Sequence, residues 1–346
     1  MPSTNRSIAA LLTAFSALWI ACERSSSAQQ ARPDPSPHER RFVAVDNDVR
    51  LEVLDWGGTG RPVVLLAGSG NTAHVFDRFA PGLRDCCHSY GVTRRGYGTS
   101  SRPDTGYDDQ RLADDVLRLI EAEKLVRPIL VGHSMAGGEL TTLGNQHSDR
   151  LGGLVYLDAL GDPGDFPAND PAYQALFQNL PAPMREPPPS DRRSVSTYQQ
   201  SQINSGRGAF PESEFRQLFA VNPDGSLGRY QGSTRAIDTA IGRGQVKRTY
   251  ARIRVPVLAF FEYPRPGANI LHPNGYRPVG ADERAAVDAY NKATAQYVDR
   301  WLGNVKASIP DATLIDLPGA GHYVFLTRET EVQKGLREFI TGLGAK

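Results

Sequence analysis

A chain of 346 residues that is 40% hydrophobic and 22% charged has globular proportions and enough length to bury a large core, as one domain with an insertion or as two domains. Its 39 basic and 38 acidic side chains leave a formal charge of +1, which offers no basic footprint for nucleic acid or for an anionic membrane surface. Three cysteines, two of them adjacent, exclude a disulfide framework.

Residues 1–28 read as an export signal. Arg6 supplies the positive start, Ile8 to Ala21 an apolar run too short to span a bilayer comfortably, and Ser26-Ser27-Ala28 a small-residue cleavage site. Lipid attachment at Cys22 is the lesser alternative, because Trp19 and Ile20 are bulky for such a site. The mature chain is therefore expected to be near-neutral, exported to the periplasm or beyond the cell, and without a membrane span. Residues 29–40, rich in proline and polar side chains, have nothing to bury and read as a tether.

Two short strand patterns, Arg41 to Val45 and Leu51 to Trp56, flank the turn signal Asp46-Asn47-Asp48. Pro62 to Ala67 is a continuous apolar run of the kind buried on both faces, followed by Gly68-Ser69-Gly70-Asn71 and a helical segment to about Leu83. Cys86 and Cys87 are expected to be unpaired thiols, since consecutive Cα atoms lie too close for an ordinary disulfide. The strand His88 to Thr93 ends in the turn-rich Arg94-Arg95-Gly96-Tyr97-Gly98-Thr99-Ser100, and Asp108 to Leu125 carries a helical stripe of Leu112, Ala113, Val116, Leu117, Leu119 and Ile120. Ile129-Leu130-Val131-Gly132-His133-Ser134 then runs straight into Met135-Ala136-Gly137-Gly138 and a helix to about Gln146. A serine handed directly from strand to helix is held in an unfavourable backbone conformation, with its hydroxyl proud of the sheet and helix N–H groups beside it. Gly-Ser pairs also end many strands in ordinary turns, so this segment alone is weak evidence.

The strand Leu154 to Leu157 ends in Asp158. Residues 162–254 interrupt the alternation with proline-rich stretches and short helical patterns around Tyr198, Phe215 and Ile237; a segment this long without strands reads as an inserted lid, and its aromatic and aliphatic residues argue against disorder. Val257 to Phe261 is another buried strand, Asp282 to Trp301 an amphipathic helix, Thr313 to Leu317 a last strand and Thr327 to Ile340 a closing helix. The expected fold is α/β: a mostly parallel, doubly wound, eight-stranded sheet built from residues 41–161 and 255–346, with a mainly helical lid inserted after the sixth strand.

In open α/β sheets the functional groups collect where the strands end. Those positions hold Ser69, Ser134, Asp158 and His322, the last in Gly319-Ala320-Gly321-His322-Tyr323. A lone histidine is usually a surface residue; a serine, an acid and a histidine at successive strand ends are the parts of a nucleophilic triad.

From Arg41 to Ile340 the chain resembles the α/β-hydrolase superfamily, in its serine-nucleophile, esterase-like branch. The resemblance implies Ser134 as nucleophile, Asp158 as acid and His322 as base, in the family's chain order, with the backbone N–H groups of Ser69 and Met135 as oxyanion hole. Arg94 to Ser100 looks like the family's Arg-Gly-x-Gly-x-Ser loop. Three positions depart from the pattern. Ala136 stands where the elbow has its last glycine, and Ala67 where the oxyanion loop usually has histidine. Most relatives carry the acid just after the seventh strand, where this chain has Glu262 followed by Tyr263, Pro264, Arg265 and Pro266; Asp158, 24 residues after Ser134, is preferred because a strand end is rigid, and Glu262 is the alternative acid.

Dehalogenases and epoxide hydrolases of this fold use aspartate at the elbow, whereas serine suits attack on an acyl carbonyl. The expected function is hydrolysis of a small carboxylic ester or lactone, probed by lid aromatics such as Phe166, Tyr173, Phe177, Tyr198, Phe215 and Phe219, which fit an apolar substrate part and ordinary packing equally well. No metal or cofactor motif is present, so none is expected. An amidase or proline-iminopeptidase-like enzyme is the alternative within enzymes; it needs an anionic lid group for the substrate amine, for which Glu186, Glu212 and Glu214 are the candidates, each otherwise a solvated surface charge. A non-catalytic ligand-binding protein of this fold is the alternative of another class.

Overall fold

The computed structural model describes residues 37–161, 170–185, 189–264 and 276–344. The export signal, Cys22, most of the tether, Phe166, Glu186, Arg265 and Pro266 lie outside them.

Ten strands are present among the described residues: β1 (Glu39–Asp46), β2 (Val49–Gly57), β3 (Arg61–Leu66), β4 (Cys87–Thr93), β5 (Ile129–His133), β6 (Gly153–Leu157), the lid strands β7 (Phe219–Val221) and β8 (Leu227–Tyr230), then β9 (Val257–Phe261) and β10 (Thr313–Asp316). Eight form one sheet in the order β1-β2-β4-β3-β5-β6-β9-β10. β1 and β2 pair antiparallel, as do β2 and β4, and every pairing from β4 to β10 is parallel. Every residue of β5, β6 and β9 is buried, as a parallel strand covered on both faces requires. Successive residues enter different cores: Val64, Leu66, Leu130 and Leu154 join one apolar cluster, Val63, Leu65, Val131 and Val155 the other. This is the period-two alternation of a strand, and each such buried side chain contributes about 1.5–3 kcal/mol.

Eight longer helices accompany the strands: α1 (Asp109–Ala122), α2 (Gly137–His147), α3 (Pro171–Gln178), α4 (Val195–Asn204), α5 (Glu212–Leu218), α6 (Arg235–Gly244), α7 (Gly280–Ser308) and α8 (Glu329–Gly342). α1 starts where Asp108 accepts the Arg111 N–H, and its stripe of Leu112, Val116, Leu119 and Ile120 is buried. None of the helices described is long and apolar enough to cross a membrane.

Four local expectations change. The segment ending at Leu83 is not a continuous helix but two 3₁₀ turns, Ala73–Phe76 and Ala80–Leu83, because Pro81 opens the second and cannot extend the first. The lid is not strand-free: β7 and β8 pair antiparallel around Asn222-Pro223-Asp224-Gly225, where Gly225 takes φ +85°. α7 is longer than its apolar stripe, since Tyr290 and Val287 pack on lid residues Tyr173 and Met184 while Val298, Trp301 and Val305 pack in the sheet core. The chain is already anchored at His38, whose Nδ1 lies 2.6 Å from Asp77 Oδ1, and β1 begins at Glu39, so the tether ends before residue 40. Cys86 and Cys87 are unpaired, their sulfurs 3.5 Å apart.

Candidate active site

Ser134 follows β5 directly and has φ +55°, a left-handed conformation that a serine adopts only when both flanking elements impose it. The packing around it explains which residues must be small. A Cβ on Gly132 would come within 2.7 Å of Leu140 and 3.0 Å of Ala136, so this first elbow position excludes any side chain. Ala136 is buried at φ −58°, ordinary helical backbone that needs no glycine. The closest approach falls one residue later, at Gly137, where a Cβ would overlap the Ala159 carbonyl oxygen.

His322 Nε2 lies 2.9 Å from Ser134 Oγ, and its Nδ1 lies 2.6 Å from Asp158 Oδ2. Asp158 sits one residue past β6 with φ +46°, and its N–H donates to the Phe260 carbonyl at 2.7 Å, so the carboxylate is fixed by the sheet itself. Glu262 is elsewhere: its two oxygens accept the N–H groups of Gly319 at 2.8 Å and Gly321 at 2.6 Å, and burial raises its pKa. It holds the backbone of the histidine loop, not the histidine ring. That loop is pinned further by Thr327 Oγ1 donating to Ala320 O at 2.6 Å and by His133 Nε2 at 3.0 Å from His322 O. His133 is buried and its ring stands 4.6 Å from that of His322. Burial holds its pKa well below the usual histidine value, which keeps it neutral with its Nε2–H as donor.

The loop leaving β3 abuts the nucleophile. A Cβ on Gly68 would meet the Ser134 Cβ at 3.0 Å, so Ser69 and Met135 flank Ser134 from two sides, one on this loop and one opening the turn before α2. Arg94 braces both. It donates to Glu139 on α2 at 2.5 Å and 3.0 Å, and to the Ala67 carbonyl at 3.0 Å, with both charged side chains nearly inaccessible. Replacing Arg94 by leucine leaves Glu139 buried without its partner. We expect a loss of about 3–5 kcal/mol in unfolding free energy, measured by urea denaturation; a loss below about 1 kcal/mol would show that the pair is dispensable.

Glu214 departs most from its expected setting. It is fully buried, not a solvated lid charge: Oε1 accepts from Asn71 Nδ2 at 2.9 Å and the Thr72 N–H at 3.1 Å, and Oε2 accepts from Thr72 Oγ1 at 2.5 Å. Burial pushes its pKa up to about 7. Glu212, by contrast, is exposed and pairs with Arg216 four residues on. The lid aromatics within the described residues pack on one another and on the core, as in the 4.9 Å contact of Tyr198 with Phe215 and the 5.2 Å contact of Tyr198 with Phe219. Sequence reasoning assigned no role to His133, Arg94, Asn71 or Tyr323. Each stands beside or within a segment singled out in the sequence: His133 next to Ser134, Tyr323 next to His322, Asn71 two residues after Ser69, and Arg94 opening the loop after β4.

One group among the described residues has metal-ligand character: His38, His74 and Asp77. Asp77 already accepts from Trp56 Nε1 at 2.9 Å and Ser213 Oγ at 2.5 Å as well as facing both imidazoles, so its lone pairs are occupied. Burial lowers the pKa of His74, but its bonds to Asp77 and Glu52 outweigh that and raise it to about 10; the group reads as a buried ion cluster.

Comparison with known proteins agrees with this architecture. The sequence model of the alpha/beta hydrolase family matches residues 63–333. Epoxide hydrolase A of Mycobacterium tuberculosis is 35% identical over 126 residues, covering 35% of this chain and 38% of that protein. The 2-(acetamidomethylene)succinate hydrolase of Mesorhizobium japonicum is 31% identical over 101 residues, 29% of this chain and 36% of that one, so each match spans well under half of the relative. The crystal structure of an E-2-(acetamidomethylene)succinate hydrolase superposes with a TM-score of 0.62 at 21% identity, over 88% of this chain and 99% of that one, a likeness of fold.

Proposed function

This chain belongs to the alpha/beta hydrolase family, and from that premise we propose that it is a serine hydrolase cleaving a carboxylic ester or lactone through an acyl-enzyme. The observation that carries the reading is the continuous chain of contacts from Ser134 Oγ through the His322 ring to Asp158, 2.9 Å and 2.6 Å long. His322 takes the Ser134 proton as Oγ attacks the carbonyl carbon. The resulting oxyanion sits between the N–H groups of Ser69 and Met135, and His322 protonates the leaving oxygen as the tetrahedral intermediate collapses. Water, deprotonated by His322, then attacks the acyl-enzyme and frees Ser134. Asp158 holds the ring and stabilises its cation.

A serine at the elbow favours acyl transfer over the alkyl-ester route that an aspartate nucleophile takes on epoxides. Of the lid candidates of the amidase alternative, Glu214 is buried with its oxygens occupied and Glu212 is paired with Arg216, while Glu186 lies outside the described residues. A non-catalytic binding role would leave this hydrogen-bonded triad without a use. Since the lid aromatics are engaged in packing, an apolar substrate part rests on composition alone. Export of the mature chain, the further part of the proposal, is supported by the signal-like pattern of residues 1–28 and is tested by cell fractionation. For the chemistry, we expect a fluorophosphonate to label the purified protein once, on the peptide containing Ser134, and p-nitrophenyl esters or lactones to turn over faster than aminoacyl anilides. Labelling that is absent or maps elsewhere ends the serine-hydrolase reading.

A further inference from the structure

We propose that Glu214, on lid helix α5, is a positioning residue for the oxyanion loop, fixing through Asn71 and Thr72 the turn that presents the Ser69 N–H. The inference rests on the serine-hydrolase reading and adds to it a residue from outside the sheet.

Three observations carry it. First, the contacts are made to the two residues that close the turn. Asn71 N–H donates to the Gly68 carbonyl at 3.4 Å, bracketing Ser69 and Gly70, and the very next groups along the chain, the Asn71 amide and the Thr72 N–H and hydroxyl, all donate to Glu214. Second, the same Asn71 reaches the base side of the site: its Oδ1 accepts from Tyr323 O–H at 3.1 Å, and Tyr323 follows His322. One polar chain, Glu214 to Asn71 to Tyr323, therefore spans the loop that supplies a transition-state donor and the loop that supplies the base. Third, the carboxyl is wholly buried; the charge of His74 acts on it only through space, and its hydrogen bonds among the described residues go to Asn71 and Thr72. Burying an acid this way is costly, and an apolar residue would avoid the cost but leave three donors unsatisfied against the loop. The gain must lie in what those donors hold in place. An oxyanion donor acts over about 2.7–3.1 Å, so small shifts of Ser69 are felt in the chemical step.

The neighbour Ser213 provides an internal control. It donates to Asp77 at 2.5 Å, docking the same helix turn, and among the described residues it makes no hydrogen bond to residues 68–72.

The test compares Glu214→Ala, Glu214→Gln, Asn71→Ala and Ser213→Ala in the full chain, with a p-nitrophenyl ester and with the rate of fluorophosphonate reaction at Ser134. Glu214→Ala is expected to lower kcat and the labelling rate about 10–100-fold while KM stays within about threefold. Glu214→Gln should return to within about threefold of the native protein, because its amide oxygen accepts the Asn71 and Thr72 N–H groups and its NH2 donates to the Thr72 hydroxyl. Ser213→Ala should change kcat by less than about threefold. Should Glu214→Ala fail to fold, Asn71→Ala carries the test: it leaves Glu214 bonded to Thr72, and a kcat about tenfold lower at unchanged KM is expected. Native kcat in the folded alanine variant, a glutamine variant as impaired as alanine, or equal losses in Glu214→Ala and Ser213→Ala would overturn the role. If the native protein labels at Ser134 and the variants label equally fast, this inference alone falls; if the native protein does not label, the serine-hydrolase reading falls and takes this role with it.

Discussion

Replacing Ser134 by alanine is expected to lower kcat on an ester by a factor of about 10⁴ or more, the largest effect of any single change proposed for this protein. In the proposed mechanism Ser134 Oγ forms the bond to the acyl group, so its loss removes the covalent route. Stability should change little. Serine and alanine share the same steric cost at φ +55°, so the strain is retained, and Ser134 Oγ is bonded only at the His322 ring among the contacts described. Thermal denaturation followed by circular dichroism checks the second half of this expectation and ester turnover the first. Residual activity above about 1% would show that Ser134 is not the nucleophile.

The second large effect separates two carboxylates that sequence alone left as competitors. Asp158→Asn should lower kcat by about 10³–10⁴, because an amide at Nδ1 can bond the wrong tautomer of His322 and cannot stabilise its cation. Glu262→Gln keeps one carbonyl oxygen for the N–H groups of Gly319 and Gly321 that Glu262 now accepts, so kcat should fall about tenfold or less, with a lowered melting temperature as the histidine loop loosens. The two variants are compared at saturating ester together with their melting curves. A collapse of turnover confined to Glu262→Gln would transfer the acid to that residue.

Both carboxylates stand at strand ends, so sequence position alone does not rank them. Position along the chain shows that each can reach the end of the sheet where the histidine lies. It does not show which ring or backbone atom each meets. Asp158 is bonded to the ring because the left-handed turn after β6 aims its side chain, and Glu262 is bonded to the loop because the chain after β9 carries it beneath Gly319 to Gly321. Glu214 shows the same limit more sharply. As a glutamate in a charged lid segment it has the signature of a surface group; burial follows only because α5 docks on the turn after β3, 142 residues earlier in the chain.

What sequence by itself determined is the part governed by local rules: the order of strands and helices from apolar periodicity, the elbow from a strand that meets small residues without a spacer, and Ser134, Asp158 and His322 as candidates by their places at strand ends, with Glu262 as the competing acid. Tertiary structure alone decided the pairing of those groups and the supports behind them. Arg94 binds Glu139 across 45 residues, His133 meets the His322 carbonyl across 189, and Glu214 reaches Thr72 through a lid with no period of its own. Periodicity records which face of an element is buried; a buried polar contact depends on where two distant elements meet, and no local pattern encodes that distance.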